Sequence, residues 1–320
     1  MKEINIIPVD RLAGPPEIKK SGIFTMWGGE ASIFVWRGRL MYLSNIWANG
    51  NPGYPIPGAY AVIYDYNTGE SYPPVGHDGC CFYQAYCEND RVYVFGSDGR
   101  RIWCMTSEDL IKWEEYVAVE FPDNFECFNT AVSKGHLGYV MAIECGGADD
   151  RFPDRHDHPN PYIGERFTEF FATSDDLKNW TLMPFEKSYT KERYNACPAL
   201  EYADGYYYMI CLEALPCYRF APYIYRTADF ETWEVGYYNP LFVPSREDYF
   251  PKTGVELTTE QQAEVLSHIC TNNSDVDLCE YEGKTYIVYA TGNQGVTGGG
   301  SYCEAIYDGP LDEFLKANFS

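Results

Sequence analysis

One phrase is written three times along the chain: TSEDLIKWE at 106–114, TSDDLKNWT at 173–181 and TADFETWE at 227–234. Each copy sets a hydroxyl residue, an Asp, an apolar residue and a Trp at the same spacing. A phrase that recurs at long intervals marks a repeated supersecondary unit, because each copy answers the same local packing problem. The phrase therefore predicts repetition before any individual element is assigned.

The stretches around it agree. Five segments read as hairpins of alternating apolar and polar residues with a turn near the middle, starting at Ala31, Cys81, Cys127, Cys197 and Val276. They lie roughly 45 to 80 residues apart, the range of propeller blades with variable insertions. The expected fold is all-β: a five-bladed β-propeller of four-stranded antiparallel blades. It would form one domain over residues 1–320, with 1–25 as a lead-in that closes or covers the ring. In that setting the phrase is a blade-corner staple. Its Asp accepts backbone N–H groups in the turn, while the apolar residue and Trp113, Trp180 and Trp233 pack between neighbouring sheets. The first blade has YAVIYDYNTGESYPP in place of the phrase. Helix is expected in two places: TTEQQAEVLSHIC from Thr258, with an N-cap Thr, inserted before blade five, and LDEFLKANF at the end.

Composition fits strands and turns, with 17% aromatic residues, 28 Gly and 20 Pro. A net charge of −23 repels nucleic-acid backbones and anionic membranes, so neither is expected as a partner. An uncharged ligand such as a sugar fits better, and a homo-oligomer is compatible with the composition. The opening MKEINIIPVDRLAG has no basic stretch followed by an apolar one, and the chain is expected to be cytoplasmic. The 12 cysteines sit mostly in strand-like runs, as Cys87, Cys104, Cys145, Cys211 and Cys279 do, and read as buried thiols. With no CxxC pair, neither a metal nor another cofactor is expected.

In a ring of blades, innermost strands begin and second strands end on one face, so polar residues at those points converge on the axis. Glu30 precedes the first innermost strand, His77 and Asp78 the second, Glu126 the third, Arg193 and Asn195 the fourth, and Asn272, Asn273, Asp275 and Asp277 the fifth. Asn45, Glu144, Glu213 and Gln294 end second strands, and Trp27 and Trp47 offer faces for a sugar ring. Carboxylates for chemistry, amides for hydroxyls and aromatic faces are what a carbohydrate site requires.

With its blade openings EASIFVWRGRLMYL and SDVDLCEYEGKTYIVYATG and its Ser-x-Asp-Leu-x-x-Trp phrases, the chain resembles the five-bladed propeller glycosidases, family 43 and its relatives in families 32, 62 and 117. The resemblance implies a carboxylate base opening blade one, an Asp in blade two that tunes the acid, and a Glu acid in blade three. Carried over, these are Glu30, Asp78 and Glu126. Glu30 stands in EA, where that group usually has Asp in DP.

Two rivals follow from the residues themselves. Glu144 ends the apolar strand GYVMAIE, where burial raises a carboxyl pKa, and Asp275 is an alternative base. Glu213 is a further alternative. Substrate contacts are expected from Trp27, Asn45, Trp47, His77, Asn129, Arg193, Asn195, Asp277 and Gln294. The insertion DDRFPDRHDHPNPYIGER from Asp149 holds His156, Asp157 and His158 and reads as a solvated loop. Sialidase corner motifs carry a Gly between the Asp and the Trp that these phrases lack. The expected function is an exo-acting, inverting glycoside hydrolase releasing arabinofuranosyl, xylosyl or galactosyl units. The alternatives are a non-catalytic carbohydrate-binding propeller and a glycoside phosphorylase.

Overall fold

The computed structural model describes residues 14–26, 30–46, 58–123, 125–146, 167–217, 219–267, 269–293 and 300–320. Their strands form five consecutive antiparallel meanders. The first is β2 (Ala31–Trp36), β3 (Arg39–Ile46) and β4 (Tyr60–Asp65). The second is β5 (Cys81–Glu88), β6 (Arg91–Ser97), β7 (Arg101–Ser107) and β8 (Glu114–Glu120). The third is β9 (Glu126–Gly135), β10 (Gly138–Gly146), β11 (Phe167–Ser174) and β12 (Trp180–Leu182). The fourth is β13 (Ala196–Ala203), β14 (Tyr206–Leu215), β15 (Arg219–Thr227) and β16 (Trp233–Val235). The fifth is β17 (Asn272–Tyr281), β18 (Lys284–Gly292) and β19 (Ser301–Tyr307), completed on its outer edge by β1 (Ile18–Met26) from the other end of the chain. The first strands of the meanders touch in cyclic order, β2 to β5, β9, β13, β17 and back to β2. They surround a common axis.

Turn chemistry sets the hairpins. At Arg37-Gly38, Asn89-Asp90, Asp204-Gly205 and Glu282-Gly283 both central residues have positive φ. That backbone twist matches the twist of paired strands, which is why these two-residue connections hold. The first meander departs from the four-stranded expectation. Its chain returns only as isolated bridges, Tyr64 with Ser71 and Ala61 with Val75. Pro73 and Pro74 lie between them and have no N–H to give to a ladder.

The three phrases are built alike. Asp109, Asp176 and Asp229 each accept two backbone N–H groups of their own turn at 2.7–2.9 Å. Those donors hold each carboxyl below its ordinary range. Leu110, Leu177 and Phe230 adopt left-handed φ of 57–62° and are fully buried. The Trp side chains pack at successive junctions: Trp113 against the cluster that holds Phe34 and Met41, Trp180 on Phe95, and Trp233 on Phe171. Burying one such apolar side chain is worth about 1.5–3 kcal/mol, and each phrase places two at a seam.

Helix α1 (Thr259–Leu266) precedes β17 and opens on a capping box between Thr258 and Gln261. Helix α2 (Leu311–Ala317) buries Phe314 and Leu315 against the fifth meander. All 12 cysteines are unpaired, and eight are buried.

Candidate active site

Four of the five inner strands carry one extra residue near their start. The register against the second strand slips between Cys81 and Gln84 in β5, between Cys127 and Thr130 in β9, between Ala196 and Ala199 in β13, and between Ser274 and Asp277 in β17. Phe82, Cys197 and Asp275 sit in these bulges with φ of 50–55°. A bulge turns a side chain out of the strand's alternation, and non-glycine residues with positive φ concentrate at functional sites. Here the bulged positions turn toward one axial cavity. Every meander lines it, Glu30, Phe82, Asn129, Cys197 and Asp275 among the lining residues, and its volume of about 10 Å³ admits about one water molecule.

Glu30 and Asp275 line this cavity, and Glu144 stands beside it, bonded to the lining residue Cys197. Glu30 lines the cavity from the first meander, and its carbonyl oxygen accepts both the backbone N–H (3.1 Å) and the Nδ2 (2.8 Å) of Asn45. Its own carboxyl is raised well above the ordinary range, first by burial and then by the charges of Asp275 and Glu144, against a hydrogen bond from Asn129. Glu144, in β10, accepts the backbone N–H of Cys197 at 2.6 Å, and burial pushes it up to about 8. Asp275 is raised by burial alone, and hydrogen bonds from Ser274 and the Cys197 thiol pull the other way. Asp275 acts on both of the other groups and Glu144 acts on Glu30, so the three titrate as one coupled set. Burial and mutual repulsion oppose full ionisation, so the set favours holding at least one proton beside a charged carboxylate.

One layer further along the axis Asp277 accepts Ser32 Oγ (2.6 Å) and the backbone N–H of Ile33 (2.8 Å), and burial pushes it up to about 6. It ties the fifth meander to the first. Asn45 is a second tie. Beyond its bonds to Glu30 it donates to the carbonyl of Tyr83 and accepts the N–H of Tyr83, at 2.8 and 2.7 Å. Both were expected to contact substrate. Their polar atoms are instead committed to the frame.

Other expected residues fall away from the cavity. Glu126 opens β9, three residues before Asn129, and does not line it. The cavity is met from within the bulge and not from the strand opening. Asp78 is exposed and borders a separate surface basin with Asp98, Arg100, Arg101 and Glu120. His77 stacks on Trp103 at 3.6 Å between centroids and meets Glu115 at 3.0 Å. Asn195 is fully buried and donates to the carbonyl of Tyr194. Arg193 pairs with the buried Glu213, which burial pushes up to about 6 against that pairing. Trp27, Trp47 and Gln294, like His156, Asp157 and His158, lie outside the described residues. Among the described residues no group of three or more His, Cys, Asp or Glu could hold a metal ion, and no helix is long and apolar enough to cross a membrane.

The sequence pattern alone does not single out Phe82, Cys197 or Glu169. The first two become axial only through the bulges. Glu169 is a lone carboxyl in the run FTEFFATS, and that apolar surrounding is the available signal.

No protein-family profile matches the chain, and no curated protein matches it by sequence. Solved structures do. The structure of a BT0996 RGII complex is 12% identical, covers 92% of this chain and 93% of its own, and has a TM-score of 0.60. A thermostable family-43 glycoside hydrolase is 11% identical over 91% of this chain and 90% of its own, with a TM-score of 0.54. The Bombyx mori GH32 beta-fructofuranosidase BmSUC1 is 12% identical over 89% of this chain and 61% of its own, with a TM-score of 0.57. The chain thus shares the fold of family 43 and family 32 glycoside hydrolases.

Proposed function

We propose that the five meanders are the blades of a single propeller domain and that the chain is a glycoside hydrolase acting at its axial cavity. One observation carries this reading. Two buried carboxyls, Glu30 and Asp275, line one small cavity, and a third, Glu144, is held beside it by the Cys197 N–H and interacts with both. Glycoside hydrolysis needs an ionised carboxylate and a protonated one on either side of the scissile bond.

Asp275, held by Ser274 and Cys197, is the base that activates water. Glu144, protonated up to about pH 8, is the acid that protonates the leaving oxygen. Glu30 shares the proton balance with Asp275 and is fixed by Asn129. This assignment moves the base from Glu30 and the acid from Glu126. Inversion rests on the resemblance and requires the Asp275 and Glu144 carboxyls to stand about 6.5–9.5 Å apart. Exo action, with arabinofuranosyl, xylosyl or galactosyl as the released unit, follows from the resemblance alone. Among the described residues no Lys, Arg or His lines the cavity, which disfavours the phosphate site of a phosphorylase.

The test is turnover of aryl-glycosides and oligosaccharides of those sugars, with the first-formed anomer read by proton NMR. The expected result is hydrolysis with inversion, independent of phosphate. It should be lost in Asp275→Ala and partly restored to that variant by formate on an activated aryl-glycoside. Binding without turnover on every substrate would make the chain a carbohydrate-binding propeller instead.

A further inference from the structure

Glu169 lies directly opposite Glu144 in the register of β11 against β10. Directly opposed residues place their Cβ atoms about 4.5–5.5 Å apart on one face of the sheet. That face also carries Ala142 and Phe171 and packs on the fourth blade. Glu169 is 1% exposed, and neither carboxyl oxygen has a hydrogen-bond partner among the described residues. A buried ionised carboxylate without a partner is costly enough that the group takes up a proton instead. The groups that act on the pair come from every side. Cys145 stands beside Glu144 on β10, Cys211 faces both from β14 with Glu213 next to it, Cys197 meets Glu144 from β13, and Asp275 and Glu30 lie beyond Glu144. Among the described residues the nearest cation in these interactions, Arg193, is engaged by Glu213.

We propose that Glu169 is a positioning residue for Glu144: it stays protonated and turns its O–H to the Glu144 carboxylate as that group gives up its proton. This rests on Glu144 being the acid. Glu144 Oε2 is already engaged by the Cys197 N–H, so the departing proton sits on the other oxygen. When it passes to the leaving oxygen, one negative charge appears on Glu144 in a dry seam. Two carboxylates cannot hydrogen-bond each other, but one proton between them satisfies both. No proton leaves Glu169. The proton lost by Glu144 is replaced from solvent after the product departs. The electrostatics agree in direction, since burial and the Glu144 charge both hold Glu169 well above the ordinary range.

The test uses the whole chain with carbon-13 at its glutamate carboxyls, titrated by NMR. The resonance lost in Glu144→Gln is expected to titrate near 8. Glu169→Leu removes the donor and should move that titration up by about one unit or more. Glu169→Gln keeps an N–H donor and should leave it near the wild-type position. The activity limb should follow on oligosaccharides, where protonation of the leaving group matters, and not on activated aryl-glycosides. Glu169→Leu is expected to fold with an undiminished melting temperature, since it removes a buried unpaired polar group. Should it not fold, Glu169→Met gives the same comparison. An unmoved Glu144 titration in the apolar variant, or an equal shift in Glu169→Gln, overturns the proposal. If Glu144→Gln leaves oligosaccharide turnover intact, the acid assignment fails on its own and the titration is unaffected.

Discussion

The backbone N–H of Cys197 donates to Glu144 Oε2 at 2.6 Å, so a bulge on one blade fixes the carboxyl of the blade before it. The donor favours the charged form, yet burial outweighs it and leaves the group near 8. An acid poised there donates at neutral pH. Oligosaccharide turnover should therefore fall as pH rises through about 8, and Glu144→Gln should abolish that limb. The variant should lose about 10²- to 10⁴-fold in kcat on oligosaccharides and far less on activated aryl-glycosides. Equal losses on both substrate types would remove Glu144 from the acid role.

The same burial has a stability signature. The folded-state pKa of Glu144 is raised above its ordinary value of 4.5, so the folded chain holds a proton there that the unfolded chain has released. That contribution is complete below about 4.5 and is lost as pH rises through about 8. Glu144→Gln is neutral at every pH. Its melting temperature should match wild type near pH 4.5, exceed it increasingly up to pH 8 and run parallel above. The slope in that window is about 1.4 kcal/mol per pH unit. A gap that stays constant from pH 4.5 to 8 would contradict the raised pKa.

The repeat was readable in the sequence because the phrase is local chemistry. An Asp two residues after a hydroxyl caps its own turn wherever it occurs, and the Leu and Trp that follow have only the seam to enter. Glu30 and Asp275, which line the cavity, and Glu144, which meets Cys197 beside them, were legible as candidates because they sit at strand ends. The axial register was not. The cavity is met from within the bulges, by Asn129 in the third meander and Cys197 in the fourth, and not from the strand openings where Glu126 and Asn195 stand. No pattern of alternation announces a bulge until the partner strand is known. Asn45 and Asp277 show the same limit. A polar residue near an axis reads as a ligand contact, and only the partner backbone shows that it is a clasp.

Ring closure offers a third prediction. Lys20 on β1 donates to both oxygens of Asp248 at 3.0 Å, and Asp248 also accepts Tyr289 Oη, Asn273 Nδ2 and the Ser245 N–H. The Asp248 side chain is fully buried, and Lys20 donates further to the Val243 carbonyl and Asn273 Oδ1. This cluster holds the first strand of the chain to the last blade. Removing one partner of a buried pair leaves a charge without compensation, at a cost of about 3–5 kcal/mol. Asp248→Ala should lower stability by that amount in denaturant unfolding. Lys20→Met combined with Asp248→Leu should recover part of it. A loss below about 1 kcal/mol, the range of an exposed pair, would show that the cluster does not hold the closure.

Cys197 gives a prediction about the base. Its thiol donates to Asp275, one of the two bonds that hold this carboxyl down against burial. Burial keeps the thiol itself well above its ordinary value, so it acts as a neutral donor. Cys197→Ala preserves the chain trace and the N–H to Glu144 but removes the bond to Asp275. The carboxyl should then ionise at higher pH. Because the base must be charged to accept a proton from water, activity falls as pH drops through its pKa. The acidic limb of kcat/KM should move up by roughly half to one unit, the worth of one hydrogen bond. The basic limb, set by Glu144, should stay in place. Cys104→Ala, at a buried thiol whose partner is Tyr116 and not one of these carboxyls, should leave both limbs where they are. If Cys197→Ala instead moves the basic limb alone, the thiol acts through Glu144, and Asp275 is not the base.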